Sequence, residues 1–162
     1  MAKFMLGFVL VLGLIASQGV TGSAQRSVVG YWKTGGLGTI NEVNTVTGQT
    51  KNNRGQMFSY RFAADGTYTF VGYMESTMFG CTTALFNEIN GRYTVDGSTI
   101  FLDPSRDFWK NTYSCFPNSN RSQTKIPTKK SLEFGFKTDE YGKDFICLSD
   151  AGVETCYRRE KQ

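Results

Sequence analysis

The chain of 162 residues contains no histidine. That absence removes histidine general acid–base chemistry, the Ser-His-Asp and Cys-His nucleophile pairs, and most zinc sites. The four cysteines show no CxxC spacing, so the usual thiolate metal sites are excluded as well. No glycine-rich phosphate loop joins a strand pattern to a helix pattern. Beyond the N-terminus, no stretch of about 11 residues keeps an apolar helical period with caps. Basic residues form no stripe of the kind nucleic acid requires. Paired carboxylates are the remaining catalytic route. The candidates, Asp103, Asp107, Asp139, Glu140 and Asp144, fall mostly in predicted turns, where turn solvation accounts for them. The expectation is a protein that is not an enzyme, with no cofactor, no metal and no nucleic-acid partner.

Long hydrophobic runs are also scarce. The one present, Phe4 to Ile15, is shorter than the roughly 20 apolar residues of a membrane span. Lys3 precedes it, and small and polar residues follow. That order predicts a secretory signal peptide over residues 1–24, cut after Ala24 or a few residues earlier. An uncleaved anchor is the alternative. The mature domain would then be residues 25–162, secreted or periplasmic, with no membrane attachment. Eighteen basic against fourteen acidic residues give a formal charge of +4, or +3 once Lys3 is removed. So mild a charge favours solubility and says little about partners.

An even number of cysteines in an exported chain reads as disulfides. Four cysteines allow three pairings. The stretch from Cys147 to Cys156 reads as a hairpin with Ala151-Gly152 at its tip. In that register Asp150 faces Val153 and Cys147 faces Cys156, close enough for a bond. Closing this short loop stabilises the fold by roughly 2–3 kcal/mol. Cys81 and Cys115 then pair by elimination.

Strand signals fill the mature chain. Val28–Thr34 opens it. Met57–Ala63 alternates Phe58, Tyr60 and Phe62 with polar residues, and Ala64-Asp65-Gly66 turns it into Thr67–Met74, where Tyr68 and Phe70 continue the aromatic face. Asp-Gly between alternating runs is a strong hairpin signal. Gly91–Val95 and Ser98–Pro104 form a second hairpin around Asp96-Gly97, in which Tyr93 faces Ile100 and Arg92 faces Phe101. A strand is expected near Asn111–Cys115, then Ser131–Thr138, and Asp139–Gly142 turns into the cysteine hairpin. Phe134, Phe136 and Phe145 are expected to join the inward aromatic face. Two loops are long and polar. One covers residues 33–56. The other covers residues 116–130 and carries Arg121, Lys125, Lys129 and Lys130, read as a solvated loop. Asn120-Arg121-Ser122 is a glycosylation sequon.

The chain thus reads as all-β, with about eight to ten short strands in sequential hairpins. Such meanders close into an up-and-down antiparallel barrel, which leaves no edges, or pack as a sandwich. Three features resemble the calycin superfamily, and most of all the bacterial lipocalin-like proteins. Gly30-Tyr31-Trp32 on the first strand is similar to the G-x-W signature. YRFAADGTYTF and NGRYTVDGSTIFLDP are similar to strings common in that group. Arg158-Arg159 on the last strand matches the basic position that packs across the first-strand tryptophan. The chain departs from the classical pattern in its long glycine-rich loop after the first strand and in the absence of a helix after the last. The resemblance implies a single lipocalin-like barrel with Trp32 buried at its closed end. It also points to a binding protein for a small apolar or amphipathic ligand, which the inward aromatic face would hold through Trp32, Phe58, Tyr60, Phe62, Tyr68, Phe70 and Tyr93. A filled aromatic core is the alternative for those side chains. The alternative function is a protein-binding module, such as an inhibitor of a secreted hydrolase, acting through residues 33–56 and 116–130.

Overall fold

The computed structural model describes residues 26–36 and 54–161. The expected signal peptide and most of the first long loop lie outside the described residues. Nine strands follow in order: β1 (Gly30–Gly36), β2 (Arg54–Phe62), β3 (Thr67–Met78), β4 (Cys81–Asp96), β5 (Thr99–Tyr113), β6 (Arg121–Lys125), β7 (Lys130–Thr138), β8 (Asp144–Asp150) and β9 (Val153–Glu160). A single 3₁₀ turn, Pro117–Ser119, is the one helical element among the described residues. All pairings are antiparallel.

The hydrogen bonding closes on itself. Each of β1 to β5 pairs with the next, β5 pairs with β7, and β7, β8 and β9 lead back to β1. This ring differs from a plain up-and-down barrel in one place. β6 breaks the sequential order, because it pairs only with the far half of β5, over Asp107–Asn111, while β7 takes the near half, Thr99–Leu102. β3, β4 and β5 are therefore long enough to leave the ring as a projecting arm edged by β6. The expected separate strand near Asn111–Cys115 is the end of β5, and the second polar loop contains both the 3₁₀ turn and β6.

Turn chemistry sets the registers. At the tip of β8–β9, Ala151 and Gly152 both have positive φ, which gives the twist a two-residue hairpin needs. Asp150 then faces Val153, and Cys147 faces and bonds Cys156. Cys81 bonds Cys115. Between β4 and β5 the two central residues are Gly97 and Ser98, not Asp96 and Gly97. Gly97 supplies the positive φ at the first central position. Tyr93 consequently faces Leu102 rather than Ile100, and Arg92 faces Asp103 rather than Phe101. The shift is by two residues, so the inward and outward faces are unchanged. Ile100 and Leu102 are buried and Phe101 is exposed.

Alternation fills the ring. Trp32, Tyr60, Phe62, Tyr68, Ile100, Leu102, Leu132, Ile146, Leu148 and Tyr157 form one buried cluster, with Phe134 and Phe136 packed against it. Phe145 is not among them. It pairs with Lys137 and Arg158 on the outward face, and Ile146 takes the inward position expected of it.

One end of the ring is sealed. Trp32 is 0% exposed, and its Nε1 donates to the Val28 carbonyl at 2.7 Å. The Arg159 guanidinium lies over the indole, 4.4 Å from the ring centroid. It also donates to the Ser27 and Val29 carbonyls, at 2.8 and 3.2 Å. Residues 26–29 are thus strapped across this end, and Gly30, at φ +150°, is the point where the chain turns into β1. Arg158 takes no part in the seal and pairs with Glu160.

Two contrasts test this frame by urea unfolding. Trp32→Ala is expected to cost about 3–5 kcal/mol, and Arg159→Ala about 0.5–2 kcal/mol. Arg158→Ala is expected to stay within about 0.5 kcal/mol of the parent. A larger loss for Arg158→Ala than for Arg159→Ala would contradict the assignment. The second contrast concerns the bulge between Asn90 and Gly91. A Cβ on Gly91 would lie 2.4 Å from the Asp103 carbonyl oxygen and 2.5 Å from the Pro104 Cα, whereas one on Gly135 meets nothing within 4 Å. Gly91→Ala is expected to lower stability by several kcal/mol or prevent folding, and Gly135→Ala to leave it within about 0.5 kcal/mol.

Candidate functional site

The end opposite Trp32 carries a half-open cleft of ≈ 680 Å³. Its walls come from the ends of β1, β7 and β8, the first part of β9, most of β2 and Phe70 near the start of β3. Alternation on β2 and β3 aims Phe58, Tyr60 and Phe70 into it. The rings are already in mutual contact. Phe58 and Phe70 lie nearly parallel with centroids 6.3 Å apart, and Tyr60 meets Phe70 at 4.8 Å. Tyr60 also meets the edge of Tyr157 at 5.4 Å. Leu132 and Leu148 complete the apolar floor, while Thr34, Gln56 and Thr155 add uncharged polar groups. Lys130 and Asp150 stand together at the mouth as an ion pair.

Of the seven expected ligand-lining residues, the structure brings three together in this cleft: Phe58, Tyr60 and Phe70. Trp32 and Phe62 are sealed in the core. Tyr68 and Tyr93 are inward but border separate shallow clefts of ≈ 540 and 530 Å³ on the ring's flank. The Tyr93 hydroxyl is engaged, donating to the Ala63 carbonyl at 2.9 Å. Sequence reasoning missed Tyr157, Leu132, Leu148 and the Lys130–Asp150 pair. The disulfide register held a signal for two of them. With Cys147 and Cys156 on one face of the β8–β9 hairpin, Leu148 and Tyr157 must occupy the other.

Burial sets the electrostatics. The Tyr60 hydroxyl is held far above its ordinary range, first by desolvation and then by the nearby Tyr157, Tyr68 and Asp150. Desolvation pushes Tyr157 up to about 12. Tyr68 is also pushed up to about 12, by desolvation and then by the charges of Asp103 and Asp107. These groups are neutral throughout the physiological range. They can offer hydroxyl hydrogen bonds, and none is poised to act as a base.

No metal centre forms among the described residues. The one cluster of metal-type donors is Cys147, Glu154 and Cys156, and both sulfurs are consumed in the disulfide. The acidic residues first assigned to turns are partly in strands. Asp103 and Asp107 belong to β5, where Asp103 accepts from Lys129 at 2.9 Å and Asp107 from the buried Asn87 at 2.6 Å. No described helix is long and apolar enough to cross a membrane.

A second feature lies at the arm's tip. Phe79 is 95% exposed and has a positive φ, in a two-residue turn with Gly80. Met78 and Phe116 are exposed as well, and the Cys81–Cys115 bond ties their two chain segments together. Residues 76–87 and 111–120 contain no charged side chain.

The tyrosines make a pH prediction. A hydroxyl whose folded pKa lies above its unfolded value near 10 favours the folded state below that pH. Its contribution is lost as pH rises from about 10 towards 12. Stability is therefore expected to fall steeply across that window, with tyrosinate absorbance near 295 nm appearing in two stages, exposed groups first. A single-stage titration with a model-compound midpoint would contradict the burial.

No family model, curated protein or solved structure matches this chain.

Proposed function

We propose that this chain is a secreted or periplasmic lipocalin-like binding protein that holds a small apolar or amphipathic molecule in the cleft at the open end of its ring. The observation that carries the reading is the division of the interior into two ends. Trp32, Arg159 and the strap of residues 26–29 close one end with packed groups. At the other end, rings of the same inward face border ≈ 680 Å³ of open space. That volume falls within the range of small-molecule sites, which are mostly apolar with a few placed polar groups. Phe58, Tyr60, Phe70 and Tyr157 would supply contact area, and Thr34, Gln56 and Thr155 would orient the ligand. Trp32, Phe62, Tyr68 and Tyr93 would support the site from the core rather than touch the ligand.

The test is a titration with the neutral dye N-phenyl-1-naphthylamine. A saturable fluorescence rise with a micromolar Kd is expected. Thr155→Trp, which places an indole in the cleft, should abolish it, and Phe70→Ala should weaken it by about tenfold. Binding unchanged in Thr155→Trp would place the dye elsewhere and remove the reading.

The alternative, a protein-binding module such as an inhibitor of a secreted hydrolase, is favoured by the Phe79 tip. A charge-free knob bearing aromatic and Met side chains has the composition of an interface core. On this reading the contact surface is the β3–β4 turn together with Phe116, the first residue of the second long loop. Inhibition of a secreted protease by the parent, lost in Phe79→Asp and kept in Thr155→Trp, would support it. Absence of inhibition across serine, cysteine and metalloprotease classes would set it aside.

A further inference from the structure

We propose that the cleft selects an electrically neutral, ring-bearing amphiphile, and that Asp150 sets this selectivity by cancelling the charge of Lys130. The inference rests on the carrier reading and adds the class of ligand to it.

Among the described lining residues, only Lys130 and Asp150 carry charge. They sit at the start of β7 and the end of β8, adjacent strands of the wall, and pair with each other across the mouth. Everything deeper is ring, aliphatic or uncharged polar. A ligand carboxylate entering the mouth is drawn to Lys130 but repelled by Asp150 beside it. An ammonium group meets the reverse arrangement. Either ion loses hydration without gaining a free partner, and burying a charge unpaired is costly. A hydroxyl or carbonyl loses little, because Gln56, Thr155 and the two tyrosine hydroxyls offer neutral hydrogen bonds. The preference for rings follows from the walls. Phe58, Phe70, Tyr60 and Tyr157 present flat faces and edges already spaced for stacked and edge-on contacts.

Both partners of the pair are about half exposed, so neutralising either one should leave folding intact. The matching thermal midpoint of each variant checks that point. The experiment is displacement of N-phenyl-1-naphthylamine at pH 7 and 0.15 M salt by three ligands of one shape: 2-naphthylmethanol, 2-naphthoate and 2-naphthylmethylammonium. In the parent, the alcohol is expected to bind at least tenfold more tightly than either ion. Asp150→Asn frees Lys130, so naphthoate should improve at least fivefold and the ammonium should weaken. Lys130→Gln should do the opposite. The alcohol should stay within twofold in both variants. Equal affinities of the three ligands in the parent, or no change in naphthoate affinity on Asp150→Asn, would overturn the selectivity while leaving the carrier reading in place. If the dye itself fails to bind the parent, the carrier reading falls, and the selectivity falls with it.

Discussion

The contact between Trp32 and Arg159 is the one on which the rest of the architecture depends. β1 and β9 form the shortest seam of the ring, with Tyr31–Glu160, Trp32–Arg159 and Lys33–Arg158 in register. Ladder hydrogen bonds over so short a span cannot hold two strand edges together against water. The indole and guanidinium add packing and a cation–π contact at the middle of the seam, and the guanidinium's remaining donors tie residues 26–29 over the end. Once that end is filled, the inward rings further along have no plug to pack against. The cleft at the other end is the geometric remainder of sealing the first.

Side-chain parity explains what was readable in advance. The period of two along β2, β3 and β7 fixed the inward face of Phe58, Tyr60, Phe62, Tyr68, Phe70, Phe134 and Phe136 without any knowledge of neighbours. Parity also explains why a misplaced turn did little harm. Moving the β4–β5 turn from Asp96-Gly97 to Gly97-Ser98 shifts partners by two and so returns every side chain to the same face. Phe145 is the counterexample. Residues 145–148 are Phe, Ile, Cys and Leu, apolar at both parities, so composition could not choose the inward face. The cross-strand bond of Cys147 to Cys156 on the outer side decides it.

The arm and the charged mouth were not legible, for different reasons. Cys81 to Asn90 mixes Thr, Ala, Leu, Phe and Asn with no alternation. In the structure both faces of that segment are mostly half-exposed, so neither demands an apolar set. Pairing with β3 and β5 on either side, together with the Cys81–Cys115 bond, holds it as a strand where its own pattern is silent. Lys130 looked like one basic residue among several in a solvated loop. Its partner is twenty positions away at the tip of another hairpin, and only the β7–β8 pairing brings the two to one rim.

The disulfides sit in different surroundings: Cys115 is exposed and Cys81 half-buried, whereas Cys147 is buried between Ile146 and Leu148 of the core. Cys81–Cys115 braces the arm just behind the exposed Phe79 turn, and Cys147–Cys156 staples the hairpin that forms one wall of the cleft. A cross-link stabilises chiefly by removing unfolded conformations, so it is most useful where few buried contacts oppose local opening. A cleft lined with rings has a standing tendency to collapse or splay, because its apolar walls lack partners. Fixing β8 to β9 holds Leu148 and Tyr157 at a set distance from Tyr60, and keeps Asp150 at the height of Lys130. The covalent frame therefore preserves the open end's shape, as the Trp32–Arg159 contact preserves the closed one.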